Sequence, residues 1–454
     1  VRLQGFAAWR MVLAYAADPL ACFERAVAEH GPVVRLARSR LGWRGDALLL
    51  VGPAYNREVL LAPDRLRPTG IWPVKAPAGS AQANLRANYL TLHGEEHAAF
   101  ARATAPVLER AAVRAHHAAV GRIAAEEMAR WRPGTEADIH ALCRDLAQHY
   151  AFALIFGEGD GERRRSFGAM LGSYHEANWS WVARLLRLDW PGMPYRRVLR
   201  EAERLQDFVL RWGTGCPHAG GEASNVRAAL ACMRDASPAR TAAHLVGFGL
   251  ASYETTAATL TWALVLLATH PEAQAALLAE LAAAGPVAAM TPEALAAVPA
   301  LDGVIRETLR LVAPVPFLGF RTVREGELGG EALPAGALVF ISPHLTHRLP
   351  SLWDEPRRFR PERWREARPG PWDYLPFAGG PRRCPGYLFA ENNLRVALAT
   401  IVPRVKLSLT APVDRGYAAI TSPKGGVRMR IEHQDGKPSA SPPAGRFFDM
   451  VDVA

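Results

Sequence analysis

The apolar run that begins at Ser237-Pro238 and continues to about Thr269, where His270-Pro271 opens another helix, constrains this chain more than any other segment. Ser237 suits an N-cap and Pro238 a first turn, so the run reads as one helix. At roughly 30 residues and about 1.5 Å of rise per residue, such a helix crosses a whole domain. It belongs in the middle of a fold, with other elements packed around it. Its apolar character is broken at Ala251-Ser-Tyr-Glu254-Thr255-Thr256. A threonine hydroxyl can bond back to a carbonyl one turn earlier and loosen the ladder, and Glu254 needs either an exposed face or a partner.

A second feature carries chemistry. Phe377-Ala-Gly-Gly-Pro-Arg-Arg-Cys384-Pro-Gly386 ends a stiff loop on one cysteine, directly before an apolar helical run from Tyr387 to Val402. Helix-start amides, the positive end of the helix dipole, and Arg382 and Arg383 all favour a thiolate there, and a thiolate can ligate a metal. The plain alternative is a buried free cysteine beside an anion-binding turn.

Length and composition leave the class open but remove several functions. The 454 residues, 49% hydrophobic and 22% charged, are those of an ordinary globular chain of one large domain or a few smaller ones. Five scattered cysteines (Cys22, Cys143, Cys216, Cys232, Cys384) indicate neither a disulfide framework nor a zinc cluster, and a reducing cytoplasm fits them best. The apolar patch from Phe6 to Ala17 is cut by Arg10 and closed by Asp18-Pro19, too short for a membrane span and without a signal-peptide cleavage site. Residues 1–18 are read as a lead-in, with truncation upstream of Val1 left open. The formal charge of +10 lies mostly on dispersed arginines, which suits an acidic protein partner better than nucleic acid.

Along the chain, a short helix is expected over 19–30, a hairpin from Val33–Leu36 and Ala47–Val51, and a long ordered loop over 63–90. A largely helical stretch runs from Glu95 to about Ser237. Short strands follow Pro314 (Gly319 to Val323, Ala337 to Ile341), and residues 432–454 read as a polar, disordered tail. Glu307 and Arg310 share one helix face at i and i+3, and Phe359-Arg-Pro-Glu-Arg363-Trp364 lies within reach as a source of a second guanidinium.

The spacing Phe-x-x-Gly-x-Arg-x-Cys-x-Gly resembles the haem-binding loop of the cytochrome P-450 superfamily. The Glu254-Thr255 segment, the Glu307-x-x-Arg310 helix and the Phe359 to Trp364 stretch resemble its other signatures, in the family's order and over about Asp18 to Ile431. The resemblance implies a single domain over 19–431, mainly α with a small β portion, with the long central helix over the haem. It implies haem b (iron protoporphyrin IX) ligated by Cys384 and cradled by Phe377, Gly386 and Ala251, with His97, Arg102, Arg321 and Arg382 on the propionates. Thr255 would steady iron-bound oxygen, Glu254 would relay protons, and Glu307, Arg310 and Arg363 would form a structural triad. Ser252 stands where the family usually has glycine, and Ala101 where it has an arginine. Trp72, Leu85, Trp179, Phe248, Val315, Phe317 and Ile420 are the expected substrate contacts, mostly apolar.

The implied activity is hydroxylation or epoxidation of a hydrophobic molecule with O2 and two external electrons, in bacterial secondary metabolism. Without a Gly-x-Gly-x-x-Gly strand motif or a cysteine cluster, electrons are expected from an acidic ferredoxin or flavodoxin with its NAD(P)H reductase, docking on the cysteine-loop side, where Arg382's neighbours and Arg395 supply charge. A monomer is expected. The alternatives are a peroxide-using or oxidative-coupling enzyme, a non-catalytic haem sensor or carrier, and a hydrolase using Thr255 with His244 or Glu254.

Overall fold

The computed structural model describes residues 2–3, 10–11, 13–15, 17–36, 46–70, 74–157, 161–211, 225–233, 237–417 and 420–452. Helices carry most of it. Those that position the site are α1 (Gly94–Thr104), α2 (Ile139–Phe156), α3 (Gly161–Asn178), α4 (Trp181–Leu185), α5 (Pro194–Arg211), α6 (Pro238–Thr269), α7 (Pro299–Leu311) and α8 (Tyr387–Ile401). The small β portion centres on a mixed sheet of β1 (Arg2–Leu3), β2 (Val33–Leu36), β3 (Ala47–Leu50), β4 (Leu66–Pro68), β5 (Leu318–Thr322) and β6 (Leu338–Ile341), ordered β1-β2-β3-β6-β5-β4. The expected hairpin is antiparallel, with Val33 opposite Leu50, and β3 pairs with β6 in parallel, Leu49 opposite Phe340.

Helix α6 is the axis of the molecule. Ser237 caps it, accepting from the Arg240 amide at 3.3 Å, and its 32 residues extend about 48 Å. It packs most extensively against α2, itself buried along most of its length. The hydroxyls of Thr256, Thr259, Thr261 and Thr269 all donate to carbonyls one turn back, so these four sit in the buried helix without a break, whereas the Thr241 hydroxyl near its start has no partner among the described residues.

Three expectations need correction. The 63–90 stretch is not a plain loop: it contains β4, a helix over Ala81–Arg86 capped by Ser80, and a 3-10 turn over Tyr89–Thr91. The C-terminal stretch is not a free tail. Phe447 is fully buried and stacks on Trp262 of α6 at 4.2 Å, Met450 and Val451 are buried, and the Ser441 amide donates to the Ala268 carbonyl. The polar run 438–444 hid the apolar residues behind it, which are numerous enough to anchor the strand of chain. Finally, Cys232 is disulfide-bonded, whereas Cys22, Cys143 and Cys384 are free, which removes the ground on which the cysteines suggested a reducing compartment.

His244 of α6 is buried against the edge of Phe100 at 5.3 Å, with neither ring nitrogen hydrogen-bonded. Burial, with Arg240 nearby, lowers its pKa from 6.5 to about 4, so it is neutral in the fold at pH 7. The unfolded chain takes up this proton first as pH falls. Stability from the neutral ring is therefore complete above pH 6.5 and declines toward pH 4, and a gap of about 2.5 pH units amounts to about 3 kcal/mol. Urea unfolding is expected to show that decline, and His244→Leu to flatten it by this amount; an unchanged slope would contradict a neutral buried imidazole. Phe447→Ala is expected to cost about 3–5 kcal/mol in the same assay.

Candidate functional site

The best-built polar cluster lies behind the cysteine loop. Glu307 and Arg310 on α7 are both fully buried, in a two-point pair with Nε to Oε2 at 3.0 Å and Nη2 to Oε1 at 2.8 Å. Two buried charges need more partners than each other. Glu307 also accepts from Arg363 Nε at 3.0 Å, Trp364 Nε1 at 2.9 Å and the Arg360 amide at 3.0 Å. Arg310 donates to the carbonyls of His347 and Pro356 at 2.8 and 2.7 Å. The expected triad is therefore formed, with the Trp364 indole as a further member. Gly303, one turn before Glu307, allows the close approach: a Cβ there would come within 2.5 Å of the Pro361 carbonyl oxygen.

The cluster reaches the loop through His347, whose Nε2 accepts from the Leu375 amide at 2.7 Å. From Leu375 the chain folds tightly. The Ala378 amide donates to the Leu375 carbonyl, Ala378 sits at φ 57° and Gly380 at φ 60°, and the Cys384 amide donates to the Phe377 carbonyl at 2.8 Å. The cysteine is thus fixed by backbone bonds before any ligand acts on it. Burial pushes its thiol pKa up, against the opposing pull of the Gly386 amide and of Arg383. The expectation of a thiolate favoured by the loop alone is corrected on this point, since desolvation outweighs the local positive groups. Arg383, not Arg382, is the cation acting on sulfur, and its guanidinium lies 3.6 Å from the centre of the Tyr387 ring. A metal cation would supply the missing charge.

Facing this loop's surroundings, α6 has one unusual stretch. Every residue from Thr241 to Thr269 is buried except Ala251, Ser252 and Thr255. Ala251 and Thr255 stand one turn apart on one face, so the otherwise enclosed helix borders open space there. Tyr89 links the two sides: it stacks on Phe248 of α6 at 4.6 Å, and the Cys384 charge adds to the burial that raises its pKa. Thr255 Oγ1 donates to the Ala251 carbonyl at 2.7 Å, leaving its lone pairs to accept on the open face. Ser252 does not add a donor to the groove, because its hydroxyl bonds the Phe248 and Gly249 carbonyls at 2.7 and 3.2 Å.

Glu254 points elsewhere. About 100° round the helix from Thr255, it is 6% exposed, 3.4 Å from Arg144 Nε and 4.0 Å from His140 Nε2. It lines a cavity of about 480 Å³ with Asp138, His140, Arg144, His175 and Trp179. Burial lowers the pKa of both His140 and His175, and Arg144 is held charged by Glu254 in spite of its burial. The solvated-face alternative for Glu254 does not hold. His140, Arg144 and His175 were missed in the sequence, although His140 and Arg144 stand at i and i+4 just after the Asp138 cap and so share a face of α2.

The basic residues expected on propionates divide. Arg382 is close enough to His97 to help lower its pKa, after burial, and among the described residues Arg382 has no acidic partner. Two adjacent basic groups without an acid fit a carboxylate, which is what the expected cofactor carries. Arg102 does not join them: it is exposed and pairs with Glu95 at 3.4 Å, since five positions along α1 turn it about 140° from His97. Arg321 is exposed on β5 and donates to the Gly336 carbonyl at 2.9 Å. Arg395 is not a free surface charge, because it is largely buried on Asp302 and Glu391. Of the apolar set, Leu85, Phe248, Phe317 and Ile420 are buried and Val315 is half-buried, Phe317 meeting Phe23 edge-on at 4.6 Å. Trp179 lines the polar cavity under Arg184 rather than an apolar one, and Trp72 lies outside the described residues.

Glu307→Gln is expected to cost about 3–5 kcal/mol, because Arg310 and Arg363 then lose the charge that offsets their burial. Urea unfolding and the cofactor content of the purified protein measure it, and an unchanged midpoint would contradict the arrangement.

Residues 233–424 match the family model described as cytochrome P-450. A mycobacterial relative, cytochrome P-450 139 of Mycobacterium tuberculosis, is 29% identical over 307 residues, 62% of this chain and 68% of that protein. Human cytochrome P-450 3A5 is 34% identical over 203 residues, 43% of this chain but only 40% of its own length. In three dimensions, the retinoic-acid-bound cyanobacterial CYP120A1 superposes with a TM-score of 0.77 over 90% of this chain and 94% of its own, at 18% identity. The haem domain of cytochrome P-450DA gives 0.78 over 93% and 95%, also at 18%.

Proposed function

We propose, for a chain that belongs to the cytochrome P-450 superfamily and is thereby a haem-thiolate monooxygenase, that it binds haem b through Cys384 and oxidises a hydrophobic small molecule. The observation that carries this reading is the interruption in α6, where Ala251, Ser252 and Thr255 are the residues between Thr241 and Thr269 that are not buried. When bound, the haem iron supplies O2 activation, and a thiolate ligand favours O–O scission. The protein supplies the rest. Phe377 and the Gly386 amide hold the sulfur side, and His97 with Arg382 takes up a carboxylate.

Thr255 is the hydroxyl on the open face, and Glu254 is the acid behind it. Arg144 keeps the Glu254 carboxylate turned toward the polar cavity, and neutral His140 and His175 line the route by which a proton arrives from solvent. Rotation of Glu254 from the cavity side of α6 to the Thr255 side would carry the proton inward. This division of labour favours O2-dependent turnover over peroxide use, which needs no such delivery. A hydrolase reading has no support, since His244 is enclosed against Phe100 rather than placed beside Thr255.

Electrons come from a separate acidic one-electron carrier. Exposed Arg383, beside the cysteine loop, is the remaining candidate contact once Arg395 is accounted for.

Glu254→Gln is expected to slow turnover with O2 and reductant by roughly a hundredfold while leaving peroxide-driven turnover within about a factor of three. Equal losses on both routes would overturn the relay. The ferrous carbon-monoxide complex is expected to show the strongly red-shifted Soret band of a thiolate ligand, and Cys384→Ala to abolish it.

A further inference from the structure

The polar cavity beside α6 is lined by a histidine whose tautomer the fold fixes. His140, in the first turn of α2, is 7% exposed and meets α6 at two points. Its Nδ1 lies 3.0 Å from Thr261 Oγ1, and its Nε2 lies 4.0 Å from Glu254 Oε1. Thr261 is fully buried and donates its one hydroxyl hydrogen to the Ala257 carbonyl at 2.7 Å. Only lone pairs remain on that oxygen, so the hydrogen-bond network assigns the ring hydrogen to Nδ1. Cys143 does not disturb the assignment, because burial pushes its thiol up to about 12 and a neutral sulfur is a weak acceptor. Nε2 of the neutral ring is therefore a bare lone pair that faces a carboxylate oxygen.

Two acceptors that face each other make no bond until a proton lies between them. Both groups line the cavity, and of its two histidines His140 is the one within 4.0 Å of the Glu254 carboxylate among the described residues. The other oxygen, Glu254 Oε2, is 3.4 Å from Arg144 Nε but forms no hydrogen bond. Glu254 is thus held by charge and not by a directional bond, and taking up a proton removes that attraction.

We propose that His140 hands protons from the cavity to Glu254 through Nε2, and that Thr261 is the positioning residue that keeps Nε2 open for the task. This rests on the relay role given to Glu254 above. A proton from the cavity binds Nε2 and gives an imidazolium that keeps its Nδ1–H on Thr261. The Nε2–H bond then breaks as an O–H bond forms on Glu254 Oε1, across one water or after a closing side-chain movement. His140 returns to the same neutral tautomer, so the cycle needs neither a ring flip nor any oxidation or reduction. Burial lowers the His140 pKa, while Glu254 raises it, Arg144 lowers it and Asp138 raises it. From α3, His175, neutral through burial, and Glu176 also face the cavity, and Ser422, Pro423 and two glycines on the remaining side bring no titratable group. The imidazolium fraction is therefore small at pH 7 and falls about tenfold for each further pH unit.

The tautomer is tested by two-bond proton–nitrogen spectra of the full haem-loaded chain, labelled with nitrogen-15 histidine and held as the diamagnetic ferrous carbon-monoxide complex. The His140 signals, identified by their loss in His140→Gln, are expected to place the hydrogen on Nδ1. Thr261→Val is expected to move it to Nε2, and Thr261→Ser to keep the parent pattern. A hydrogen on Nε2 in the parent overturns the inference. In kinetics, the ratio of O2-driven to peroxide-driven turnover is expected to fall roughly tenfold or more in His140→Gln. The decline of that ratio as pH rises above 6.5, expected in the parent, is lost in the same variant. Thr261→Val lowers the ratio with His140 in place, and Thr261→Ser restores it. If Glu254→Gln lowers the ratio while His140→Gln keeps both its size and its pH dependence, the Glu254 relay stands and the inference about His140 fails. If Glu254→Gln leaves the ratio unchanged, the relay itself fails and the role of His140 with it.

Discussion

The buried carboxylate of Glu307 holds together parts of the chain that are far apart in sequence. Three guanidinium or indole groups and a backbone amide converge on it, and its partner Arg310 passes the constraint to the His347 carbonyl. The His347 ring then receives the Leu375 amide, and within ten residues the backbone reaches Cys384. Such a cluster adds little net stability, because desolvation of its charges consumes most of what their attraction returns. Its effect is on geometry: breaking any one member strands the others without partners, so one arrangement of the cysteine loop is strongly preferred over its neighbours.

On the other side, α6 separates two environments with adjacent residues. Thr255 is among the few residues of the buried part of α6 that are not enclosed, and Glu254 opens on a cavity lined by charged and polar groups. Helical geometry alone makes this possible, since consecutive side chains diverge by about 100°. In the proposed function, this places an apolar reacting space one side-chain rotation from a source of protons. Ser252, with its hydroxyl turned inward onto the helix, leaves that partition intact.

Much of this was legible from the chain. The length and apolar content of the Ser237 to Thr269 segment already required a central helix, and the fixed residues around Cys384 and Glu307 marked a candidate ligand and a structural cluster. What the sequence concealed were partners distant along the chain. Arg144 and His140 look like ordinary residues of an amphipathic helix until α2 lies against α6. The last residues look polar on average, yet Phe447 fills a place against Trp262 that no local pattern announces. Arg102 shows the reverse error: one position along a helix was enough to turn a candidate anchor to solvent.

The sequence by itself determined which residues could hold a thiolate-bound metal, where the central helix runs, and which carboxylate must be buried with guanidinium partners, because each follows from local spacing and from the chemistry of side chains. Only the tertiary structure decided the charge balance at Cys384, the side of α6 on which Glu254 lies, and which of the candidate arginines are paired or exposed elsewhere. Desolvation and pairing depend on everything within a few ångströms of a group, and most of those neighbours are contributed by distant parts of the chain.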